Sequence, residues 1–285
     1  MKCAILGTGK IGIDLYFKLK RKKNNHVSIF NINPKSLGAK FCKLNKFNYF
    51  SGGINKLLNY NDYQIIFDTT NAKSNISHFK KLKKKKFVLV NLTPSGIGEF
   101  YIPYIDGNKN IKSKSFNLIT CGGQSSIPII YEISKVLKKI EYVEIVSAIS
   151  SESAGLATRA NIDEYLNVTS KAVTNYTRLK NVKCILNINP GYPPVNMSNS
   201  IYIELKNKIS SLEMSKVSKI VNLINKRMKF FARGYKAVFF GKINEKCLKI
   251  SLTVEGDGDY LPKYSGNLDI ITNMATHIAN NLKEN

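Results

Sequence analysis

The segment KCAILGTGKIG, residues 2–12, restricts the fold more than any other part of the chain. A short apolar run ends in Gly7, Gly9 and Gly12 at GxGxxG spacing. An amphipathic stretch follows over residues 13–23, with Ile13, Leu15, Phe17 and Leu19 as its apolar content and a basic end. A continuous apolar run bounded by a turn reads as a strand buried on both faces. The first glycine makes the tight turn, the second lets a backbone approach a pyrophosphate, and the third lets the helix pack closely on the strand. The helix N-terminus then offers free N–H groups and a partial positive charge to phosphate oxygens. A glycine turn without a ligand is the alternative. The position of this one, between strand and helix inside a βαβ unit, favours a dinucleotide.

The pattern continues. Strand-like HVSIFNINP, YQIIFDTTNA, FVLVNLTPS and FNLITCGGQ alternate with helix-like LGAKFCKLN, SNISHFKKLKKKK and SSIPIIYEISKVLKKI. Alternation of that kind predicts an α/β fold with a Rossmann-type, doubly wound parallel sheet covered on both faces. Beyond it lie a long strand-like run, YVEIVSAISSESAG, and a helix, NIDEYLNVTSKAVTNYTRL. The strands VKCILNINP and SNSIYIELK, a helix over 211–231, and the hairpin pair YKAVFFGKI and CLKISLTVEG complete this part. They predict a second, α+β domain with antiparallel strands. The expected division is 1–122 and 123–266, with a closing helix, 267–285, returning to the first domain.

The net charge of +25 invites a nucleic-acid reading. Only five basic residues are arginines (Arg21, Arg159, Arg178, Arg227, Arg233), the residue type that supplies bidentate base and phosphate contacts. The lysines are spread over the whole chain, so a specific nucleic-acid partner is not expected. The run Lys80 to Lys86 reads as the solvated end of a helix. No apolar run approaches the roughly 20 residues of a membrane helix, and no signal-peptide pattern opens the chain. A soluble cytoplasmic protein without a membrane partner is expected. The cysteines Cys3, Cys42, Cys121, Cys184 and Cys247 are widely spaced and form no CxxC pair, which argues against a disulfide framework or a metal site.

Two positions carry chemistry beyond the glycines. Asn33, near the end of the second strand, stands where an acidic residue usually binds the adenosine ribose. With no arginine nearby to hold a 2′-phosphate, NAD is expected rather than NADP. Cys121 ends a strand-like run and opens a helix beside Gly122 and Gly123. A thiol at a helix N-terminus is expected to have a lowered pKa, the setting of a nucleophile. It could attack an aldehyde, and the thiohemiacetal could become a thioester by losing hydride to a nicotinamide. A buried structural cysteine is the alternative.

Seven segments together resemble the acylating acetaldehyde dehydrogenases, the NAD- and CoA-dependent partners of 4-hydroxy-2-oxovalerate aldolase in aromatic hydrocarbon catabolism. They are AILGTGKIGIDL, IIFDTTNA, NLTPSGIGEFYIP, LITCGGQSSIPI, EIVSAISSESAG, TRANIDEYLNVTSKA and VEGDGDYLPKYSGNLDIIT, in order from Ala4 to Thr272. The resemblance implies a semialdehyde-dehydrogenase-like fold whose second domain is catalytic and dimerising. It implies that acetaldehyde, CoA and NAD give acetyl-CoA and NADH, with Cys121 as the acyl-thioester nucleophile. Thr8, Gly9, Lys10 and Ile11 would hold the NAD pyrophosphate. The segment Glu152, Ser153, Ala154, Gly155, Leu156, Ala157, Thr158, Arg159 and Ala160 would line the cofactor and active site, and Asn267 would contact the nicotinamide end. A homodimer and an aldolase partner are implied too.

The chain departs from the family at Leu156-Ala157, where the family reads Pro-Gly, and at Glu152, where it has Lys. It also has Asn199 where the family has an Asp that assists the cysteine, and a shorter stretch over Val238 to Lys249. Asparagine cannot take a proton, so these departures predict a slow or altered enzyme. The competing functions are a weakly active subunit that stabilises an aldolase and a semialdehyde-type reductase of acyl phosphates. His26, His78 and His277 read as surface or packing residues, and Asp163 and Glu164 as acids complementing a helix start.

Overall fold

The computed structural model of the chain describes residues 1–107 and 114–282. These divide into two compact units, one of residues 1–119 and 271–285 and one of residues 120–270. The divisions fall at 119/120 and 270/271, against the expected 122 and 266.

The first unit alternates strand and helix: β1 (Lys2–Leu6), α1 (Lys10–Lys20), β2 (His26–Asn31), α2 (Leu37–Leu44), β3 (Tyr49–Ser51), α3 (Gly53–Leu57), β4 (Ile65–Asp68), α4 (Ala72–Leu82), β5 (Val88–Asn91), β6 (Glu99–Phe100), α5 (Pro103–Asp106) and β7 (Ser115–Asn117). The strands form one sheet in the order β3-β2-β1-β4-β5-β7-β6, with every pairing parallel. Strand order reverses between β1 and β4, so the carboxyl ends of those two strands flank the crevice where open α/β sheets take ligands. Cys3, Ala4, Ile5 and Leu6 are all buried, as a central strand covered on both faces requires. On one side, Ala4, Leu6, Phe30 and Ile66 pack with Ile54, Leu57, Tyr63, Leu82 and Phe87. The lysine run divides as its chemistry demands: α4 ends at the buried Leu82, and Lys83, Lys84 and Lys86 are exposed.

The second unit opens with α6 (Cys121–Val136) and β8 (Ile140–Ser150). It continues through α7 (Leu156–Ala160), α8 (Ile162–Thr177), β9 (Val182–Asn189), β10 (Met197–Leu205), α9 (Ser211–Met228), β11 (Gly234–Lys242) and β12 (Cys247–Glu255). A last helix, α10 (Gly266–Asn281), begins in this unit and runs into the first, since residues from 271 onward group there. The five strands are ordered β11-β12-β10-β8-β9. The expected antiparallel sheet is corrected at one edge: β9 pairs parallel with β8, Ile145 opposite Cys184. The physical reason is the connection. Residues 151–181 hold a helical crossover rather than a hairpin turn, and a crossover returns the chain in the same direction. Helices α8, α6 and α9 pack side by side against this sheet.

Candidate active site

In the first unit, Gly9 is the N-cap of α1 and, having no side chain, adds no capping hydrogen bond to the helix start. A Cβ on Gly12 would overlap the Gly7 carbonyl oxygen, so only glycine lets α1 approach the turn this closely. A Cβ on Gly9 would meet nothing within 4 Å. Packing thus explains Gly12, whereas Gly9 borders open space at the start of the helix. That is the arrangement a pyrophosphate fits. Thr8 is buried, Ile11 half-buried and Lys10 exposed around it. Asn33 lies two residues past the end of β2 and is exposed. Its Oδ1 accepts from the Lys35 N–H at 3.0 Å, an Asx turn that fixes the side chain beside the strand end.

In the second unit, Thr120 caps α6 by accepting from the Gly123 N–H at 2.9 Å, and its hydroxyl also meets the Thr169 hydroxyl of α8 at 2.8 Å. Cys121 is the first residue of that helix and is half-buried. Its Sγ lies 3.6 Å from the Tyr165 hydroxyl of α8. The same hydroxyl accepts from the Gly122 N–H at 3.0 Å and lies 3.4 Å from the Ser147 hydroxyl of β8. Burial pushes the Cys121 thiol above its ordinary pKa, against the pull of the Tyr165 hydroxyl and of the Gly122 and Cys121 N–H groups. This corrects the expected fall. Desolvation of the thiolate outweighs the donors of the helix start.

Asn199, on β10, is buried under the same turn. Its Nδ2 donates to the Ser125 and Ser126 hydroxyls at 2.8 and 2.7 Å and reaches the Gly122 carbonyl at 3.5 Å. Ser125 in turn donates to the Cys121 carbonyl at 2.8 Å. The structure therefore brings Asn199 to the helix turn that carries the cysteine, through serine hydroxyls. Asn199 Oδ1 and Asn267 Oδ1 are buried without a hydrogen-bond partner, and buried polar atoms of that kind call for a ligand or water.

The segment 152–160 has a different character. Ser153 and Ala154 are buried, Thr158 is half-buried, and Glu152, Gly155, Leu156, Ala157, Arg159 and Ala160 are exposed. Leu156 is 89% exposed at the start of α7. Arg159 folds back on the loop, donating to the Ala154 carbonyl at 3.2 Å and the Ser151 hydroxyl at 2.8 Å. The loop is thus held in one shape while an apolar side chain points into solvent.

A family model described as the dimerisation domain of prokaryotic acetaldehyde dehydrogenase matches residues 121–262. An acetaldehyde dehydrogenase of Geobacillus stearothermophilus is 38% identical over 99% of this chain and 96% of its own length. The chain belongs to the acetaldehyde dehydrogenase family. It is accordingly an enzyme, an oxidoreductase. The acetaldehyde dehydrogenase of Carboxydothermus hydrogenoformans is 36% identical over 98% of the chain and 92% of its own length. Among solved structures, aspartate semialdehyde dehydrogenase II of Vibrio cholerae, complexed with ASA, superposes with a TM-score of 0.67 over 99% of both chains at 10% identity. At that identity the likeness shows the fold alone, an aspartate-semialdehyde-dehydrogenase-like pair of sheets.

Several residues have surroundings that no motif announced. Tyr165 follows Asp163 and Glu164, which are exposed in the first turn of α8, and one helical step turns it inward. His78 Nδ1 lies 2.8 Å from Asp68 Oδ2, so this histidine is held at the end of β4. His26 is exposed, and burial lowers the pKa of His277. Among the described residues no group of His, Cys, Asp and Glu could hold a metal, and no helix is long and apolar enough to cross a membrane.

Proposed function

We propose that this chain catalyses the NAD-dependent, CoA-acylating oxidation of a short aldehyde, acetaldehyde in the first instance. The observation that carries the reading is Cys121, set as the first residue of α6 in a polar turn braced by Thr120 and Tyr165, in a chain of this family. The Cys121 thiolate attacks the carbonyl carbon. A sulfur–carbon bond forms, and the carbonyl pair moves onto oxygen. NAD, when bound, supplies the two-electron acceptor that turns the thiohemiacetal into a thioester. The CoA thiolate then attacks the thioester carbon, and Cys121 leaves with the bonding pair. Gly7, Thr8, Gly9, Lys10, Ile11 and Gly12 would hold the pyrophosphate, Asn33 would serve the ribose, and Asn267 and the 152–160 loop would serve the rest of the cofactor. Incubation with acetaldehyde, CoA and NAD is the test. NADH formation that requires CoA supports the reading, and its absence ends it. NADH formation with phosphate in place of CoA would favour the acyl-phosphate alternative, which rests only on a fold likeness at 10% identity.

The glycine turn gives a separate expectation. Gly9→Val places its Cβ in open space, with no heavy atom beyond its chain neighbours within 4 Å. The variant should fold and melt like the parent yet lose NAD affinity, since the branched side chain occupies the pyrophosphate's place. Titration calorimetry with NAD checks this, and parental affinity would show that the turn is not the cofactor site.

Asn199→Asp restores the carboxylate of the family's pattern. Acylation at neutral pH is expected to quicken by about 10-fold or more. That is less than the roughly 10²–10⁴-fold a general base usually contributes, because a cysteine already holds some thiolate. Rapid-mixing measurement of acylation across pH checks it. A variant no faster than the parent would leave Asn199 as a brace for α6 and nothing more.

The assembly reading is a homodimer, supported by the dimerisation model over 121–262. Helices α6, α8 and α9 leave the opposite sheet face to residues such as Val238, Phe240 and Tyr202, of which Val238 and Phe240 are exposed. An aldolase partner and a cytoplasmic location belong to the same proposal.

A further inference from the structure

Tyr165 is buried, on the side of α8 that faces α6, and its hydroxyl sits where the helix carrying the nucleophile begins. A glycine makes this approach available. A Cβ on Gly122 would overlap the Tyr165 hydroxyl, so any other residue at 122 would push the phenol away from the turn.

A phenol has one hydrogen to give and lone pairs to accept with. The Gly122 N–H, at 3.0 Å, already uses one lone pair. The hydrogen has two candidate acceptors, the Ser147 oxygen at 3.4 Å and the Cys121 sulfur at 3.6 Å. For oxygen acceptors 3.4 Å is well beyond the usual range of about 2.5–3.0 Å. For the larger sulfur atom 3.6 Å is ordinary contact, and a charged acceptor draws the hydrogen more strongly than a neutral hydroxyl. Burial also holds the Tyr165 phenol far above its ordinary pKa, and the neighbouring cysteine adds to the shift. It stays an O–H donor at every working pH and never serves as a base. Among the described residues no other titratable group enters this contact. Asp163 and Glu164, on the same helix, are exposed, and the other partners, from α6 and β8, are the Gly122 N–H and the Ser147 hydroxyl.

We propose that Tyr165 is a catalytic residue, whose hydroxyl donates a hydrogen bond to the Cys121 thiolate and so keeps a usable fraction of the nucleophile at neutral pH. Desolvation by the surrounding protein disfavours the anion, and this one oriented donor is the side chain that opposes it. Through the Gly122 N–H the same oxygen also fixes the first turn of α6, so stabilising the anion and aiming it come from a single group.

The proposal rests on Cys121 being the nucleophile, and it is tested without aldehyde, CoA or NAD. Iodoacetamide alkylation of the Cys121 peptide is followed by mass spectrometry across pH, on the intact protein, for the parent and for Tyr165→Phe. Losing one charge-assisted hydrogen bond is expected to move the Cys121 titration up by about one pH unit or more. Alkylation at neutral pH then slows about 10-fold, and high pH restores it. Gly122→Ala keeps the phenol but displaces it, and should reproduce the upward shift. If the alkylation profile of either folded variant superimposes on the parent's, the proposal is overturned. If the shift appears and the parent still forms no NADH with acetaldehyde and CoA, Tyr165 tunes the thiol and the reaction assigned above is wrong.

Discussion

Replacing Cys121 by alanine is expected to remove CoA-acylating aldehyde oxidation, by roughly 10⁴-fold or more, as loss of a covalent nucleophile generally does. The fold should not change. Thr120 caps α6 through its own hydroxyl, and Tyr165 still accepts from the Gly122 N–H. Alanine is also the best helix former, so helix propensity does not oppose the change at the first position of α6. NAD binding, which the glycine turn would carry, should persist. The measurement pairs NADH formation with NAD titration and a melting curve on the same preparation. Substantial remaining activity in a variant that still binds NAD would mean that Cys121 is not the nucleophile. A thioester trapped on the parent's Cys121 peptide, absent from the variant, would be the positive counterpart.

The fold was legible where a residue type has one physical explanation. Gly12 must be glycine because α1 touches the Gly7 carbonyl, and such a contact writes itself into the sequence as GxGxxG. The buried strands β1 and β4 read directly as continuous apolar runs. The direction of β9 was not legible. Its alternation is the same whether it pairs parallel or antiparallel, and only the helical crossover before it decides. At the site, Cys121 was legible from its place between a strand-like run and two glycines. Its proton affinity was not, because desolvation depends on side chains far along the chain. Tyr165 is 44 positions from Cys121, and within α8 its spacing is that of any inward-facing core residue. Asn199 was found through a family pattern, yet its contacts are with Ser125 and Ser126, 74 and 73 positions away. Chemistry made of pairs that distant leaves no local signature.

Lys18→Met is expected to destabilise the protein by about 3–5 kcal/mol, the usual effect of removing one partner from a buried ion pair. Asp14 and Lys18 lie one turn apart on α1, a spacing that on most helices marks a solvated pair. Here both side chains are almost completely buried, at 1% and 2% exposure, with Lys18 Nζ 3.0 Å from Asp14 Oδ2. Thr272 of α10 completes the group. Its hydroxyl accepts from Lys18 Nζ at 2.7 Å and donates to Asp14 Oδ2, so the pair ties α1 to the returning half of the last helix. Asp14 Oδ1 has no partner, so the carboxylate depends on what reaches its other oxygen. Methionine matches the lysine stem and removes the charge together with its hydrogen bonds. The variant then holds a buried carboxylate with no cation beside it, which is the costly state. Adding Asp14→Leu removes the orphaned charge, and the double variant should recover most of the loss, as apolar replacements of buried pairs do. Urea unfolding of the parent and both variants separates the possibilities. A double variant as weak as Lys18→Met would show that the lysine stem's packing, and not the ion pair, joins α1 to α10.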